Sequence, residues 1–257
     1  MTANDQPNMR RRFLIVTQAR SGSYHLTSLL DSAGDVTCLG EIFKPDKVEL
    51  PADMALKTGY GLRDVDKRNA DYAAYLDRLM SGCDSPVFGF KEFLDRIARS
   101  GLGPATLRSR DWRKIFLTRN AIRIYVSAQR ASETGRYTKR AQGPAPHDNR
   151  VIRFDPGLFE YTLRADRAFR DRFRGLKSRQ PARVTTIDYR DLACPEKMSG
   201  LLGFIGSRSE AGKLQSSYYR QNSIPLEQSF EDFGIVRRYM TENGHAALLE
   251  DALQPGV

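Results

Sequence analysis

A group of small polar residues around one arginine, Gln18-Ala19-Arg20-Ser21-Gly22-Ser23, has the composition of an anion cradle. Arginine supplies a fixed positive charge with forked donors that match phosphate or sulfate oxygens. The serines add hydroxyls, and the glycine permits a tight turn that aims backbone N–H groups at one ligand. The flanking residues indicate what holds this cradle. Phe13-Leu14-Ile15-Val16 is a short continuous apolar run, as in a strand buried on both faces, and Leu26, Leu29 and Leu30 follow at helical spacing. Residues Phe13 to Leu30 therefore predict strand, loop and helix, with the loop wrapped around a helix N-terminus whose N–H groups and dipole favour an anion. By residue type alone the turn is as compatible with an ordinary strand-to-helix connection as with phosphate. Neither G-x-x-x-x-G-K-[ST] nor G-x-G-x-x-G is present, which argues against a P-loop triphosphatase and a dinucleotide fold.

A second charged turning point occurs at Arg113-Lys114-Ile115-Phe116-Leu117-Thr118-Arg119, which predicts a strand running into a helix over Asn120 to Glu133. Arg119 stands at the strand's C-terminal end, where open α/β sheets bind ligands. Ser127 lies eight residues on, close to two full helical turns, so both side chains can reach one phosphate. Standing alone, the pair reads first as a strand-end arginine and an exposed helical serine. Lys91, closing the predicted strand Val87 to Lys91, reads equally as a ligand for anionic oxygens and as a surface lysine.

The rest of the chain supports a single α/β domain with a mainly parallel sheet flanked by helices, because strand patterns alternate with helical ones. Further strands are expected at Val36 to Leu39 and Arg183 to Tyr189. Helices are expected at Asp71 to Met80, Glu92 to Arg99, Phe159 to Phe173, Pro195 to Ile205, Glu227 to Met240 and Gly244 to Leu253. Residues Lys44 to Arg68 read as loop, with Pro45, Pro51, Gly59 and Gly61 as breakers. Tyr137 to Pro156 reads as a mobile acceptor-binding lid, and residues 1–12 as a disordered basic tail before a domain spanning 13–257. Arg164, Arg167, Arg170 and Arg174 read as a solvated face of their helix.

With 257 residues, 40% of them hydrophobic, the chain is long enough for one large core, and its formal charge of +10 suits a polyanionic ligand. The basic residues are not interleaved with aromatics as on an RNA-binding sheet, so a nucleotide is favoured over nucleic acid. Three isolated cysteines and three histidines give no zinc-site spacing and suggest a reducing compartment. No apolar run approaches the roughly 18 residues of a membrane span, so the expected location is cytoplasmic. Self-association stays open.

The loop Gln18 to Ser23 resembles the one by which sulfotransferases hold the 5′-phosphosulfate of 3′-phosphoadenosine 5′-phosphosulfate (PAPS). It is most similar to the bacterial branch with nodulation-factor, lipopolysaccharide and trehalose members, where arginine replaces lysine. Thr118-Arg119-Asn120 with Tyr125-Val126-Ser127 resembles the segment that binds the 3′-phosphate. Asp188-Tyr189-Arg190-Asp191-Leu192 with Leu201 to Gly206 resembles a family strand end and its following helix, and Arg220-Gln221-Asn222 resembles the closing loop. These likenesses run in order from residue 13 to about 240. They imply a P-loop-like fold and transfer of sulfonate from PAPS to a carbohydrate or glycolipid hydroxyl, without metal. A peripheral contact with a lipid-linked acceptor is compatible with this reading. Arg20 would stabilise the leaving group, with Gln18, Ala19, Ser21, Gly22 and Ser23 lining the cradle. Glu41, in Gly40-Glu41-Ile42-Phe43, matches the general base of bacterial carbohydrate members, and His25 is the rival base. Lys213 and Arg220 would close over the nucleotide. Tyr24 departs from the pattern: the family has threonine or another small residue there, so one hydroxyl is taken from the cradle. The alternatives are a small-molecule kinase with a divergent phosphate loop and a non-catalytic nucleotide- or nucleic-acid-binding module.

Overall fold

Every apolar run that ends in a turn signal forms a strand in the computed structural model, which describes residues 10–134, 150–218 and 224–254. The strands are β1 (Arg11–Thr17), β2 (Val36–Glu41), β3 (Val87–Phe93), β4 (Trp112–Thr118) and β5 (Val184–Asp188). They form one five-stranded sheet in the order β2-β3-β1-β4-β5, with every neighbouring pair parallel. Burial on both faces explains the continuous apolar runs. In β1, Leu14 and Val16 enter one core with Phe88, Phe90, Trp112 and Phe116, while Phe13 and Ile15 enter the other with Leu26, Ile115 and Leu202. Alternate side chains of a strand point to opposite faces, so one strand feeds both layers.

Helices α1 (Ser23–Asp31) and α8 (Pro195–Ile205) supply apolar residues to the second core. Helices α4 (Tyr72–Ser81), α5 (Leu94–Arg99) and α7 (Pro156–Arg179) supply the first. A third cluster gathers α6 (Ala121–Thr134), the start of α7, α9 (Phe233–Glu242) and α10 (Ala246–Leu253) around Tyr125, Phe159 and Phe230.

Several boundaries differ from the sequence reading. The region 44–68 contains α2 (Ala52–Thr58) and α3 (Val65–Ala70). Its breakers are helix ends: Pro51 stands just before the first turn of α2, and Gly59 closes it in the left-handed conformation at φ 68°. Residues Glu227–Ser229 form a 3₁₀ turn instead of helix. There α9 begins only after Asp232, whose carboxylate accepts the N–H groups of Gly234 and Ile235. Arg11 and Arg12, read as tail, open β1, while residues 1–9 lie outside the described residues. Most of the expected lid, 135–149, also lies outside them; of the remainder, Ile152 is buried and bridges to Phe230. No helix among the described residues is long and apolar enough to cross a membrane.

The chain leaves β1 towards β2 and β3 on one side and later returns to β4 on the other. Beside β1, at the C-terminal ends of β1 and β4, lies the crevice where open α/β sheets take ligands. Both anion-binding candidates of the sequence are there.

Candidate active site

The turn between β1 and α1 depends on two backbone positions. Arg20 adopts φ 65° and Gly22 φ 88°, so the chain reverses within three residues. A side chain at Gly22 would be strained by that φ, and its Cβ would also stand 2.2 Å from the ring of Tyr189. Among the described residues, the N–H groups of Gly22, Ser23 and Tyr24 meet no acceptor in the fold. That is a helix N-terminus with open donors. Ser21 is fully buried and its hydroxyl pairs with Thr17 Oγ1, so the loop mouth receives its backbone and not its side chain. Gln18 likewise turns away: Nε2 donates to Asp166 Oδ1 at 2.6 Å, and Arg170 Nε holds the other oxygen at 2.6 Å. Ala19 is exposed.

The second anchor comes to the first. Arg20 Nε donates to Ser127 Oγ at 3.1 Å, and Arg119 Nη1 donates to the Arg20 carbonyl at 2.9 Å. Ser127 is buried on α6, where the eight-residue spacing predicts it. Arg119 lies over the Tyr189 ring at 4.6 Å, and Arg170 Nη2 donates to the Arg119 carbonyl at 3.2 Å. Arg170 thus leaves the solvated face expected of it and braces the site. Tyr189 touches Gly22 and packs against Arg119 and, at 6.3 Å, His25. In the sequence it had only a place in a motif, because its role depends on the missing Cβ of Gly22.

Glu41 occupies a different pocket. A register shift between Leu39 and Glu41 turns it onto Lys91 of the adjoining strand. The Lys91 ammonium pairs with Oε1, Arg96 Nη1 reaches Oε2 at 2.6 Å, and Glu41 is buried. Burial alone would raise its pKa, but Lys91 and Arg96 outweigh that and hold the carboxyl below its ordinary range. Lys91 is a buried partner of Glu41, not a surface lysine. Tyr24 covers the pair: its ring lies 4.4 Å from the Lys91 ammonium and 5.8 Å from the Lys44 ammonium. Burial, then the Glu41 charge, pushes the phenol up to about 12, so it stays protonated. The residue that departs from the family pattern is therefore built into the Glu41 pocket.

No protein-family model matches the chain. In sequence it is similar to nodulation protein H of Rhizobium tropici, 24% identical over 262 residues and 95% of each chain. In structure it is similar to the sulfotransferase domain from the curacin biosynthetic pathway. That likeness has a TM-score of 0.53 and 12% identity, over 95% of this chain and 92% of the other. The chain has the fold of that sulfotransferase domain. Within the sulfotransferase fold, the structure gathers Arg20, Ser21, Gly22, Ser23, Arg119 and Ser127 at one crevice, with Glu41 and Tyr24 beside it on the next strand and helix. His25 is half-buried, and its Nδ1 meets Ser216 Oγ at 2.8 Å, tying α1 to the late loop. Lys213 pairs with Glu210 at 3.1 Å on an exposed turn, without contact to the crevice among the described residues. Arg220 lies outside the described residues. Arg96 and Tyr189 are the additional site residues. Among the described residues, no group of three or more His, Cys, Asp or Glu side chains is arranged to hold a metal ion.

Proposed function

We propose that this sulfotransferase-fold protein transfers the sulfonate of PAPS to a hydroxyl of a carbohydrate or glycolipid, releasing adenosine 3′,5′-bisphosphate. The observation that carries the proposal is the meeting of Arg20 with Ser127 and Arg119 at the mouth of a loop with open N–H donors. These groups fit a nucleotide phosphorylated at both ends, with the loop facing the phosphosulfate and the β4–α6 junction facing the 3′-phosphate. A charge-assisted contact from Arg20 to an anion is stronger than its neutral contact with Ser127. The similarity to nodulation protein H favours a carbohydrate-type acceptor.

PAPS supplies an activated sulfonate with a phosphate leaving group. The protein's part is to orient the donor, exclude water and accept the hydroxyl proton. Glu41 is ionised at neutral pH and so is in its basic form. Lys91 and Arg96, which keep it ionised, also lower its basicity, so the acceptor hydroxyl must enter this network to lose its proton. His25, hydrogen-bonded to Ser216, is the weaker candidate.

Titration calorimetry with adenosine 3′,5′-bisphosphate, and with ATP with and without Mg²⁺, tests the reading. Metal-independent binding of the bisphosphate is expected. A preference for Mg-ATP would instead establish the kinase alternative.

A further inference from the structure

A second cleft, of about 660 Å³, opens between α5 with the segment following it and the C-terminal half of α7. Leu107 and Leu176 are buried in its floor, and Arg108, Arg110, Arg172 and Arg179 stand exposed along it. On α7 the order Arg172, Leu176, Arg179 follows the i, i+4, i+7 spacing of one helix face. No carboxylate lines the cleft, and among the described residues the four guanidinium groups have no hydrogen-bond or ion-pair partner. Their neighbours differ: Arg99, Arg170 and Arg174 pair with Asp95, Asp166 and Asp171.

A fifth cation lies beneath. Lys114 is fully buried on β4, where its ammonium donates to the Ser109 carbonyl and, at 2.7 Å, to Gln180 Oε1. The other end of that amide, Gln180 Nε2, donates to the Arg108 carbonyl at 2.9 Å and fastens the cleft wall to α7. Lys114 has no ion-pair partner among the described residues; burial, then Arg183 nearby, pulls its pKa down to about 8, against the charge of the more distant Asp111. A buried cation that rests on neutral oxygens is costly unless a negative charge comes near. Arg108 and Arg110 lie before the entry end of β4 and Lys114 within its first half, whereas Arg119 lies beyond its exit; the seven strand residues separate Arg110 from Arg119 by roughly 20 Å or more.

We propose that this cleft is a second anion site, taking a phosphate or sulfate ester joined to an apolar body. Arg108, Arg110, Arg172 and Arg179 engage the ester, and Leu107 and Leu176 lie under the apolar part. The same chemistry occurs in soluble esters and in anionic lipid headgroups. Hexyl phosphate serves as the soluble probe, and phosphatidylcholine vesicles containing phosphatidic acid serve as the membrane probe.

In calorimetry the wild type binds hexyl phosphate. The double variant Arg108→Gln/Arg179→Gln binds at least tenfold more weakly, while Arg119→Ala binds as the wild type does. Removing equal charge elsewhere on α7, in Arg164→Gln/Arg167→Gln, leaves binding within twofold. All these side chains except Arg119 are exposed, and thermal melting verifies that the variants fold. Vesicle sedimentation identifies the source. Retention lost in the first double variant supports the site with a headgroup as its ligand, and hexyl phosphate binding without retention supports it with a soluble ester. Loss of binding in Arg119→Ala, an equal loss in the charge control, or no binding of either probe overturns the proposal.

Discussion

The two halves of the crevice treat charge in opposite ways. At the loop, Arg20 and Arg119 meet a serine hydroxyl and a backbone carbonyl, beside backbone donors that meet no acceptor among the described residues. At the Glu41 pocket, Lys91 and Arg96 meet a carboxylate and are largely neutralised. An anion entering the first half meets two guanidinium groups beside a helix N-terminus. An anion entering the second would compete with Glu41. Under the proposed function, nucleotide binding falls to one half and proton handling to the other, and substitutions can separate them.

The largest expected effect is in Gly22→Ala. A Cβ there meets the Tyr189 ring in a backbone conformation costing about 1–2 kcal/mol per residue for non-glycine side chains. Bisphosphate affinity should fall by at least a hundredfold in calorimetry, and the added variant Tyr189→Ala should restore only part of it. Glu41→Gln should keep bisphosphate affinity within about twofold while turnover falls by about two to four orders of magnitude, the usual contribution of a general base. Retained turnover in that variant, with loss in His25→Ala, would transfer the role to His25. Arg119→Ala should show the converse, with affinity weakened by about ten- to hundredfold, as for a charge-assisted hydrogen bond of roughly 1.5–3 kcal/mol. If Glu41→Gln and Arg119→Ala shift the same parameter, the division between the halves fails.

A pH series sharpens the second half. The Glu41 carboxyl lies below its ordinary 4.5, so the stability it contributes is full above that value and falls away as pH drops through the lower folded value. Chemical denaturation should show the wild type losing its advantage over Glu41→Gln only below about pH 4.5. Lys91→Met removes a cation from the carboxylate, so the acid limb of the rate profile should move to higher pH. The smallest effect is expected for Tyr24→Phe. It removes only the hydroxyl beside the Glu41 pocket and should change turnover several-fold without changing bisphosphate affinity. An affinity loss there would return Tyr24 to the phosphate cradle.

The first half was legible in the sequence because it is local. A strand run, a small-residue turn and a helical stripe lie within 18 residues, and the Arg119–Ser127 spacing follows from helix periodicity alone. The second half is made across strands. Glu41 and Lys91 are 50 residues apart, and a register shift near Gly40 decides that they meet. No periodicity reports such a shift, so Lys91 read equally as ligand and surface, and Tyr24 read as a missing hydroxyl. The short helices of 44–68 were hidden for another reason. Proline and glycine mark helix ends as readily as loops, and a helix of six or seven residues shows too few turns for its period to be seen.

The position of β1 has a consequence for synthesis. It is the earliest strand among the described residues and the middle strand of the sheet, yet its partners begin at Val87 and Trp112. At about 5–20 residues per second, the apolar segment Phe13 to Val16 waits roughly 5–20 s for β4 to follow it off the ribosome. During that interval the phosphate loop has neither Arg119 nor Tyr189 against it. The crevice therefore takes shape only after residues 112–189 have been made, although its loop lies near the start of the sequence.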